Sequence, residues 1–195
     1  YFKNKKILDW GAGKGQISYL LKRISDKVIS CDIDSGESDS SFYKNRPILK
    51  DHKIHVKKLN HDFKLPYKNN SFDLVTSFGV LEHVKDDKNS LKELSRIIKK
   101  NGCLYISFLP YKFSWTQNLS HLFGNYYHDR LYSILTISEL VKTAGFEIIF
   151  LQHGQLFPKN SLPYNKNIEK IDRFLTEKTP LRFFATNLEL FLKKA

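Results

Sequence analysis

Residues 9–15 read Asp9-Trp10-Gly11-Ala12-Gly13-Lys14-Gly15, and this glycine-rich stretch decides the fold. It directly follows the apolar pair Ile7-Leu8, which is typical of the end of a buried strand. Beyond it, apolar residues recur at the i, i+3, i+4, i+7 spacing of an amphipathic helix, at Ile17, Leu20, Leu21 and Ile24. The pattern predicts a strand, a tight loop and a helix over residues 6–27, an arrangement that binds nucleotide cofactors.

The spacing and charge of the loop favour one kind of cofactor. The dinucleotide fingerprint G-x-G-x-x-G requires glycine at position 16, where the chain has Gln16, and the third glycine comes one residue early, at Gly15. The carboxylate of Asp9 would repel a pyrophosphate. S-Adenosylmethionine has no phosphate and carries sulfonium and ammonium cations. The loop therefore predicts this methyl donor rather than NAD.

Length and composition predict one domain. The chain has 195 residues, of which 41% are hydrophobic, enough for a single core over residues 1–195. It lacks methionine and begins at Tyr1, just before the first predicted strand, so we expect that an N-terminal segment has been lost. No apolar run approaches the roughly 20 residues that span a bilayer. Cys31 and Cys103 match no metal-ligand spacing, so we expect reduced thiols and a cytoplasmic protein.

The formal net charge of +12 leaves the kind of partner open. Lysine greatly outnumbers arginine, and the basic pairs are dispersed along the chain, at Lys57-Lys58, Lys99-Lys100 and Lys193-Lys194. Dispersed lysines favour a solvated surface over a nucleic-acid-binding stripe. Binding to nucleic acid and peripheral contact with a membrane both stay compatible with the charge.

The rest of the chain alternates strand and helix patterns. Strands are predicted at residues 27–32, 53–59, 72–78, 103–109, 146–151 and 184–192. A helix with Leu91 and Leu94 is expected to end near Asn101-Gly102, and another to open on a capping box at residues 136–139 and close at Gly145. Residues 155–179 are expected to form a long excursion. Such alternation predicts a parallel sheet whose ligands bind beyond the carboxyl ends of its strands.

Four motifs occur in order along the chain. They are Ile7–Gly15, Val28–Asp32, Asp62-Phe63-Lys64-Leu65-Pro66 with Ser71-Phe72-Asp73, and Leu81-Glu82-His83-Val84. On these motifs the chain resembles a class I S-adenosylmethionine-dependent methyltransferase of the type-11 group over most of its length. The resemblance implies an α/β fold: a Rossmann-like, doubly wound, mostly parallel seven-stranded sheet with helices on both faces and an antiparallel last strand.

The resemblance also implies the cofactor-binding residues. The loop would approach the methionine portion, Asp32 would accept the ribose hydroxyls, and Asp62 would accept the adenine amino group. Alternatives stay open, since Asp32 and Asp62 could be solvated acids in loops and Phe78 could belong to the core. The full set is Asp9, Gly11, Ala12, Gly13, Gly15, Asp32, Ile33, Asp62, Phe63, Phe78 and Gly79.

Residues at about 110–135 occupy the place where the resembled family carries a substrate lid. Within it we expect His128 to act as general base and Trp115, Tyr127 and Arg130 to contact substrate, although Trp115 could equally pack a helix. His83 could take a proton or merely fix Glu82. We expect no metal, because an in-line methyl transfer from a sulfonium depends on positioning.

The predicted function is methyl transfer to an oxygen or nitrogen of a small-molecule or carrier-linked acceptor. The segment Phe184–Leu190 is similar to methyltransferases of bacterial surface-polysaccharide pathways, which suggests a sugar or glycan. Residues 77–80 read Ser-Phe-Gly-Val and lack the Asn/Asp-Pro-Pro-aromatic and Pro-Cys motifs of enzymes that methylate nucleic-acid bases. Two alternatives stay open: an RNA methyltransferase and a non-catalytic, cofactor-binding partner protein.

Overall fold

The computed structural model describes residues 3–33, 45–124, 128, 130–157 and 165–195. Seven strands lie in one sheet: β1 (Lys6–Trp10), β2 (Lys27–Asp32), β3 (Val56–Lys58), β4 (Phe72–Phe78), β5 (Ile98–Pro110), β6 (Phe146–His153) and β7 (Asn187–Lys194).

The strand order is β3-β2-β1-β4-β5-β7-β6. The first five strands of this order pair in parallel, whereas β7 lies antiparallel between β5 and β6. The carboxyl ends of β1, β2 and β4 are in register, since Trp10 pairs with both Cys31 and Ser77. The predicted fold class, including the antiparallel last strand, is confirmed.

Helices cover both faces of the sheet. They are α1 (Gln16–Lys22), α2 (Pro47–Asp51), α3 (Asp87–Ile97), α4 (Trp115–Leu122), α5 (Ile134–Thr143) and α6 (Lys166–Lys178), followed by a 3-10 helix at Pro180–Phe184. The alternation of side chains along β1 separates the faces: Ile7 belongs to the same apolar cluster as Leu21 of α1, while Leu8 belongs to the cluster that contains Leu91 and Leu94 of α3. Among the described residues, no helix is long and apolar enough to cross a membrane.

Two predicted boundaries were wrong. The helix α3 ends at Ile97, and Asn101 lies inside β5 with a left-handed φ of 62°, next to a bulge in the pairing with β4. The helix α5 begins three residues earlier than expected, because Ser133 caps it and forms the capping box with Thr136. Pairing with β4 thus sets the first boundary, and a local capping box sets the second.

The C-terminal part also differs from the sequence prediction. Residues 155–179, expected to be an excursion, contain the 13-residue helix α6, which the side chain of Asn165 caps. The last strand begins at Asn187 rather than Phe184, because residues 180–184 form the 3-10 helix.

The loop between β1 and α1 packs tightly against α2. Gly15 has a φ of 88°, and a Cβ added there would collide with the side chain of the fully buried Leu49. Gly124 has a similar φ of 72°, but no atom of the described residues lies within 4 Å of its added Cβ. The two glycines therefore share the backbone requirement and differ in packing.

We expect Gly15→Ala to lower the free energy of unfolding by more than Gly124→Ala does. Both substitutions carry about 1–2 kcal/mol of left-handed backbone strain. Gly15→Ala adds about 1–3 kcal/mol of overpacking against Leu49. Urea unfolding of the two variants measures the difference, and equal losses would contradict the packing described here.

Candidate functional site

The glycine loop is held by hydrogen bonds to its own chain. The amides of Gly11 and Ala12 both donate to the Cys31 carbonyl, at 2.9 and 3.0 Å. The Gly13 amide donates to the Asp32 carboxylate at 2.7 Å, and the Gly15 amide to the Ala12 carbonyl at 2.8 Å. These four amides are thus hydrogen-bonded within the chain, and the Asp32 carboxylate lies beside the loop. This arrangement is unfavourable to a pyrophosphate.

The three glycines of the loop are required for different reasons. All have positive φ, but a Cβ at Gly11 would collide with the side chain of Val80, which fills the space beside this glycine. A Cβ at Gly15 would meet Leu49. At Gly13 no atom of the described residues lies within 4 Å of the added Cβ. Gly13 is therefore the loop position that borders open space.

Asp9 lies beneath the loop rather than beside the open space. Its carboxylate accepts hydrogen bonds from Ser18 at 2.5 Å and from Thr76 at 3.2 Å, and the residue is 1% exposed. Burial raises the pKa of Asp9 from 3.8 to about 6. The side chain thus ties β1 to α1 and β4, and its effect on a cationic ligand stays a prediction.

Asp32 stands at the carboxyl end of β2 and is half-buried. One of its oxygens accepts the Gly13 amide, and Arg46 donates to the Gly13 carbonyl at 3.2 Å from the other side of the loop. Ile33, which follows Asp32, is 45% exposed. The structure thus brings the predicted ribose acid directly against Gly13, whose added Cβ meets no atom of the described residues.

Asp62 and Phe63 differ sharply in exposure. Asp62 is buried, and its carboxylate accepts the backbone amide of Lys85 at 2.6 Å. Phe63 is 42% exposed, with its ring 5.8 Å from that of His61. Asp62 therefore fixes the turn after β4, and Phe63 is the member of this pair with apolar surface to offer a ligand.

Phe78 and Gly79 lie where β4 ends. The Phe78 ring packs 5.4 Å from Tyr105 and 6.0 Å from Phe108. Gly79 has a φ of 64°, and a Cβ added there would lie 3.6 Å from Oε1 of Glu82 and 4.0 Å from Cβ of Phe108. Gly79 thus lies next to both Glu82 and Phe108, at the end of β4.

Glu82, His83 and His128 form a polar cluster beside Gly79. Their nearest ligand atoms all lie within 4.8 Å of one another. The Glu82 side chain is 2% exposed, and burial raises the pKa of this carboxyl to about 7. The His83 imidazole is 62% exposed, 3.8 Å from Glu82, and its ring lies 5.6 Å from that of the half-buried His128. Both predicted catalytic histidines therefore come together.

Arg130, which was predicted to contact substrate, binds backbone carbonyls and a carboxylate of its own chain. Its guanidinium donates to the Val84 carbonyl at 2.8 Å, to the Lys85 carbonyl at 3.2 Å and to the Leu81 carbonyl at 3.4 Å. Its Nε lies 3.6 Å from the Asp87 carboxylate. Arg130 thus fastens the turn that carries Glu82 and His83 to the segment that carries His128.

Trp115 and Tyr127 are the other residues that were predicted to contact substrate. Trp115 opens α4 and donates its indole N–H to the Leu156 carbonyl at 2.8 Å, so it joins two parts of the fold. This matches the packing alternative for Trp115. Tyr127 lies outside the described residues.

A cavity of about 710 Å³ opens at the carboxyl end of β5 and β6, under α6. Its lining mixes aromatic, acidic and basic groups, including Phe108, His153, Asp172, Arg182, Phe183 and Glu189. Phe108 borders both this cavity and Gly79, and it has a strained φ of 58° at a bulge in β5. The cavity therefore adjoins the end of β4 at Gly79.

His153 is a cavity residue that the sequence pattern does not mark. It closes β6 between the edges of Tyr111 and Phe183, with ring centroids 5.0 and 5.6 Å away. Burial and the nearby Arg182 hold the pKa of His153 below its ordinary value, so its imidazole is neutral at pH 7. A lone histidine in an apolar pattern carries no signal that a cavity would form beside it.

A family model described as "Methyltransferase domain" matches residues 8–106, just over half of the chain. The chain belongs to this family. The membership confirms the class I methyltransferase resemblance and implies S-adenosylmethionine as cofactor. The matched residues include the glycine loop, Asp32, Asp62 and the Glu82-His83 pair. Nothing in the comparisons supports the polysaccharide refinement.

Two curated relatives of this methyltransferase-domain chain show the range of similarity. A ubiquinone biosynthesis O-methyltransferase of Pelagibacter ubique is 31% identical over 109 residues, which cover 55% of this chain and 43% of the relative. A demethylmenaquinone methyltransferase of Thermotoga maritima is 28% identical over 169 residues, which cover 75% of this chain and 72% of the relative. The chain spans about half the length of most curated relatives that it matches.

Solved structures share the fold at low identity. A methyltransferase of Methanosarcina mazei superposes with a TM-score of 0.69 and 17% identity, over 100% of this chain and 94% of that chain. The cyclase SpnF superposes with a TM-score of 0.61 and 16% identity, over 99% of this chain and 75% of that chain. Because a cyclase has the same fold, the fold alone does not identify the reaction.

We expect the pH dependence of stability to report on the buried Asp9. The unfolded chain ionises this carboxyl near pH 3.8 and the folded chain near pH 6, so the stability that it contributes is lost as pH rises. Between pH 4.5 and 7, wild-type chain should lose about 2 kcal/mol relative to Asp9→Asn. Urea unfolding at both pH values measures this, and a constant difference between the two proteins would contradict it.

We expect Arg130→Ala to lower the free energy of unfolding by about 2 kcal/mol, because partly buried carbonyls lose charged donors. The matched control is Arg173→Ala, since the Arg173 side chain is 67% exposed and pairs with the exposed Glu169. The control should change the free energy by less than about 0.5 kcal/mol. Equal effects in urea unfolding would show that Arg130 does not fasten the turn.

Proposed function

We propose that this chain is an S-adenosylmethionine-dependent methyltransferase that acts on an oxygen or nitrogen atom of a small-molecule acceptor. The observation that carries the proposal is the contact between Asp32 and the Gly13 amide, beside the open space at Gly13. Membership of the methyltransferase-domain family supports it independently.

Four of the predicted cofactor residues contact the cofactor in this proposal. Asp32 accepts the ribose hydroxyls, because a carboxylate oxygen has lone pairs beyond the one that Gly13 occupies. The exposed ring of Phe63 packs against the adenine. Gly13 and Gly79 leave room for the methionine portion.

When bound, S-adenosylmethionine supplies a methyl group on a positively charged sulfur. The task of the chain is to hold the acceptor in line with that methyl group, which can supply several kcal/mol, on the order of 7–11 at best. Phe108 borders both Gly79 and the cavity, so an acceptor in the cavity reaches the methyl group past this side chain. The polar cluster of Glu82, His83 and His128 beside Gly79 meets the reacting atom of the acceptor.

We infer that the acceptor is a hydroxylated aromatic ring. The relatives from Pelagibacter and Thermotoga are named for ubiquinone and demethylmenaquinone. The rings of Phe108 and Phe183 in the cavity lining can pack against an aromatic acceptor. The neutral His153 offers a hydrogen-bond acceptor to its hydroxyl group. The sugar or glycan acceptor has no support among these relatives, and it stays a prediction.

Three further expectations also stay predictions: an RNA acceptor, cytoplasmic location and peripheral membrane contact. Steep salt-dependent retention on RNA would favour the RNA acceptor. A methylated product from any cell extract would exclude a non-catalytic cofactor-binding protein.

We expect calorimetry to show micromolar binding of S-adenosylmethionine and S-adenosylhomocysteine, and none of NAD. Asp32→Ala should weaken the binding at least tenfold, because charged hydrogen bonds of about 1.5–3 kcal/mol are lost. Gly13→Arg should do the same by filling the open space. Asp26→Ala, which removes an exposed carboxylate between α1 and β2, is the matched control and should bind as wild type does.

Circular dichroism of each variant is the control that it is folded. Wild-type affinity in both Asp32→Ala and Gly13→Arg would refute this cofactor site. Failure of the wild-type chain to bind either sulfur cofactor would refute the proposed function.

A further inference from the structure

Lysines that are far apart in the sequence meet at the edge of the sheet where the parallel strands begin. Lys6 is the first residue of β1, and its register partner Lys27 is the first residue of β2. Lys99-Lys100 lies at the start of β5. Because β7 is antiparallel to β5, Lys193-Lys194 at its end reaches the same edge. Together with Lys5, which precedes β1, these residues form what we call the lysine edge.

The fold brings together basic pairs that are dispersed in the sequence. Nζ of Lys194 donates to the Ile98 carbonyl at 2.8 Å, so the pair Lys193-Lys194 lies beside the pair Lys99-Lys100. The third pair, Lys57-Lys58, lies elsewhere, since Lys58 is the register partner of Asp32 at the carboxyl end of β2. Two of the three pairs therefore belong to one surface, and the third is separate from it.

Hydrogen bonds connect the two ends of the lysine edge. The Asp73 carboxylate, near the start of β4, accepts the backbone amide of Lys6 at 2.8 Å. The same carboxylate lies 3.0 Å from Nζ of Lys99. Asp73 thus links the start of β1 to the start of β5. With neighbouring strands about 4.8 Å apart, the lysine edge extends roughly 20 Å across the five strands β2-β1-β4-β5-β7.

Positive charge exceeds negative charge on the lysine edge. Its seven lysines are accompanied by three carboxylates at or just before the starts of β2, β4 and β6, those of Asp26, Asp73 and Glu147. Seven cations against three anions leave an excess of four positive charges. Lys27 and Lys100 are exposed, so part of this excess faces solvent directly.

We propose that the lysine edge docks on the surface of a membrane that contains anionic lipids. The negative surface potential of such a membrane attracts clusters of about four to eight Lys or Arg residues. The seven lysines match that number and lie at one edge of one sheet. The proposal rests on charge and topology, and it does not depend on the proposed function.

The composition of the lysine edge favours lipid over nucleic acid. Proteins that bind single-stranded nucleic acid stack its bases on exposed aromatic side chains. Among the described residues, the exposed phenylalanine and tryptophan side chains lie at or beyond the carboxyl ends of the strands, in the middle of β6 or at residues 174–184. Arginine is preferred for nucleic-acid recognition, yet the seven cations at the strand ends are all lysine.

Exposed aliphatic side chains beside the lysine edge suit the same partner. Leu20 and Ile24, four residues apart at the end of α1, are 53% and 48% exposed. The turn after them is held against the start of β1, because the Ser25 hydroxyl donates to the Lys5 carbonyl at 2.6 Å. Cations next to exposed aliphatic side chains are typical of protein surfaces that lie on a bilayer.

Docking through the lysine edge fixes the orientation of the chain on the membrane. Gly13 and Asp32 lie at the opposite edge, where β1 and β2 end. Strands of five and six residues separate the two edges by roughly 16–20 Å. The candidate cofactor site therefore points away from the lipid and stays open to solvent when the chain is docked.

The test uses the full chain and sedimentation with lipid vesicles. Vesicles of phosphatidylcholine with about one third phosphatidylglycerol should bind the chain, whereas vesicles of phosphatidylcholine alone should not. Binding should fall at least tenfold as the salt concentration rises from about 0.1 to about 1 M, because the Debye length falls from about 10 to about 3 Å. Absence of binding to the anionic vesicles at the lower salt concentration would overturn the proposal.

Two double variants locate the surface, with circular dichroism as the control for folding. Lys27→Gln with Lys100→Gln removes two exposed cations from the lysine edge and should weaken binding to anionic vesicles at least tenfold. Lys57→Gln with Lys58→Gln removes two exposed cations from β3 and should bind as wild type does. Equal losses in the two double variants would show that net charge alone attracts the chain, and would overturn the lysine edge as the docking surface.

Binding of S-adenosylhomocysteine tests the orientation. The vesicle-docked chain should bind this ligand as the free chain does, because the cofactor edge faces solvent. Loss of that binding on vesicles would overturn the orientation. Failure of the free chain to bind the ligand would refute the proposed function and leave vesicle binding to decide the membrane proposal.

Duplex RNA is the competing partner in the same assay. We expect weaker retention on duplex RNA than on anionic vesicles at equal salt concentration. Stronger retention on RNA that is lost in Lys27→Gln with Lys100→Gln would assign the lysine edge to nucleic acid and overturn the membrane proposal.

Discussion

The site depends on the carbonyl of Cys31, which accepts the amides of both Gly11 and Ala12. These two bonds continue the parallel pairing of β1 and β2 by one step beyond Trp10 and turn the chain into the glycine loop. They place the Gly13 amide within reach of Asp32. The carboxyl ends of β1, β2 and β4 then form one edge of the sheet, and every candidate cofactor residue stands on or just beyond that edge.

The fold was predictable where the pattern of apolar residues reports burial directly. The strands β1 and β4 are buried nearly throughout, β2 is buried near its carboxyl end, and the glycines after β1 leave few alternatives. The helix α6 could not be found in this way. Its buried residues include Asp172 and Thr176, while Ile171 and Phe174 are 54% and 60% exposed. Asp172 is buried because it accepts the Leu156 and Phe157 amides, and the sequence pattern carries no sign of those bonds.

The candidate site was predictable to the extent that local chemistry marks its residues. An acid at the end of a strand next to a glycine loop has few other uses, and Asp32 indeed meets Gly13. The substrate prediction for Arg130 and Trp115 rests on their place in the segment where the resembled family carries a substrate lid. Their partners are backbone carbonyls distant in sequence, at residues 81–85 and 156, which only the fold brings near. His153 was overlooked for the same reason, since its cavity forms between elements far apart in the chain.

The position of β7 has a consequence for how the protein is made. In the sheet β7 lies between β5 and β6, although it is synthesised after both. β6 pairs with β7 alone, so it has no partner on the sheet until residues 187–194 have left the ribosome. Until then β5 exposes an unpaired edge, which is the kind of surface that chaperones cover and that aggregation exploits. The nascent chain therefore contains all the candidate cofactor residues before β6 and β7 can join the sheet. A ligand that binds at that stage would bind an incompletely folded protein.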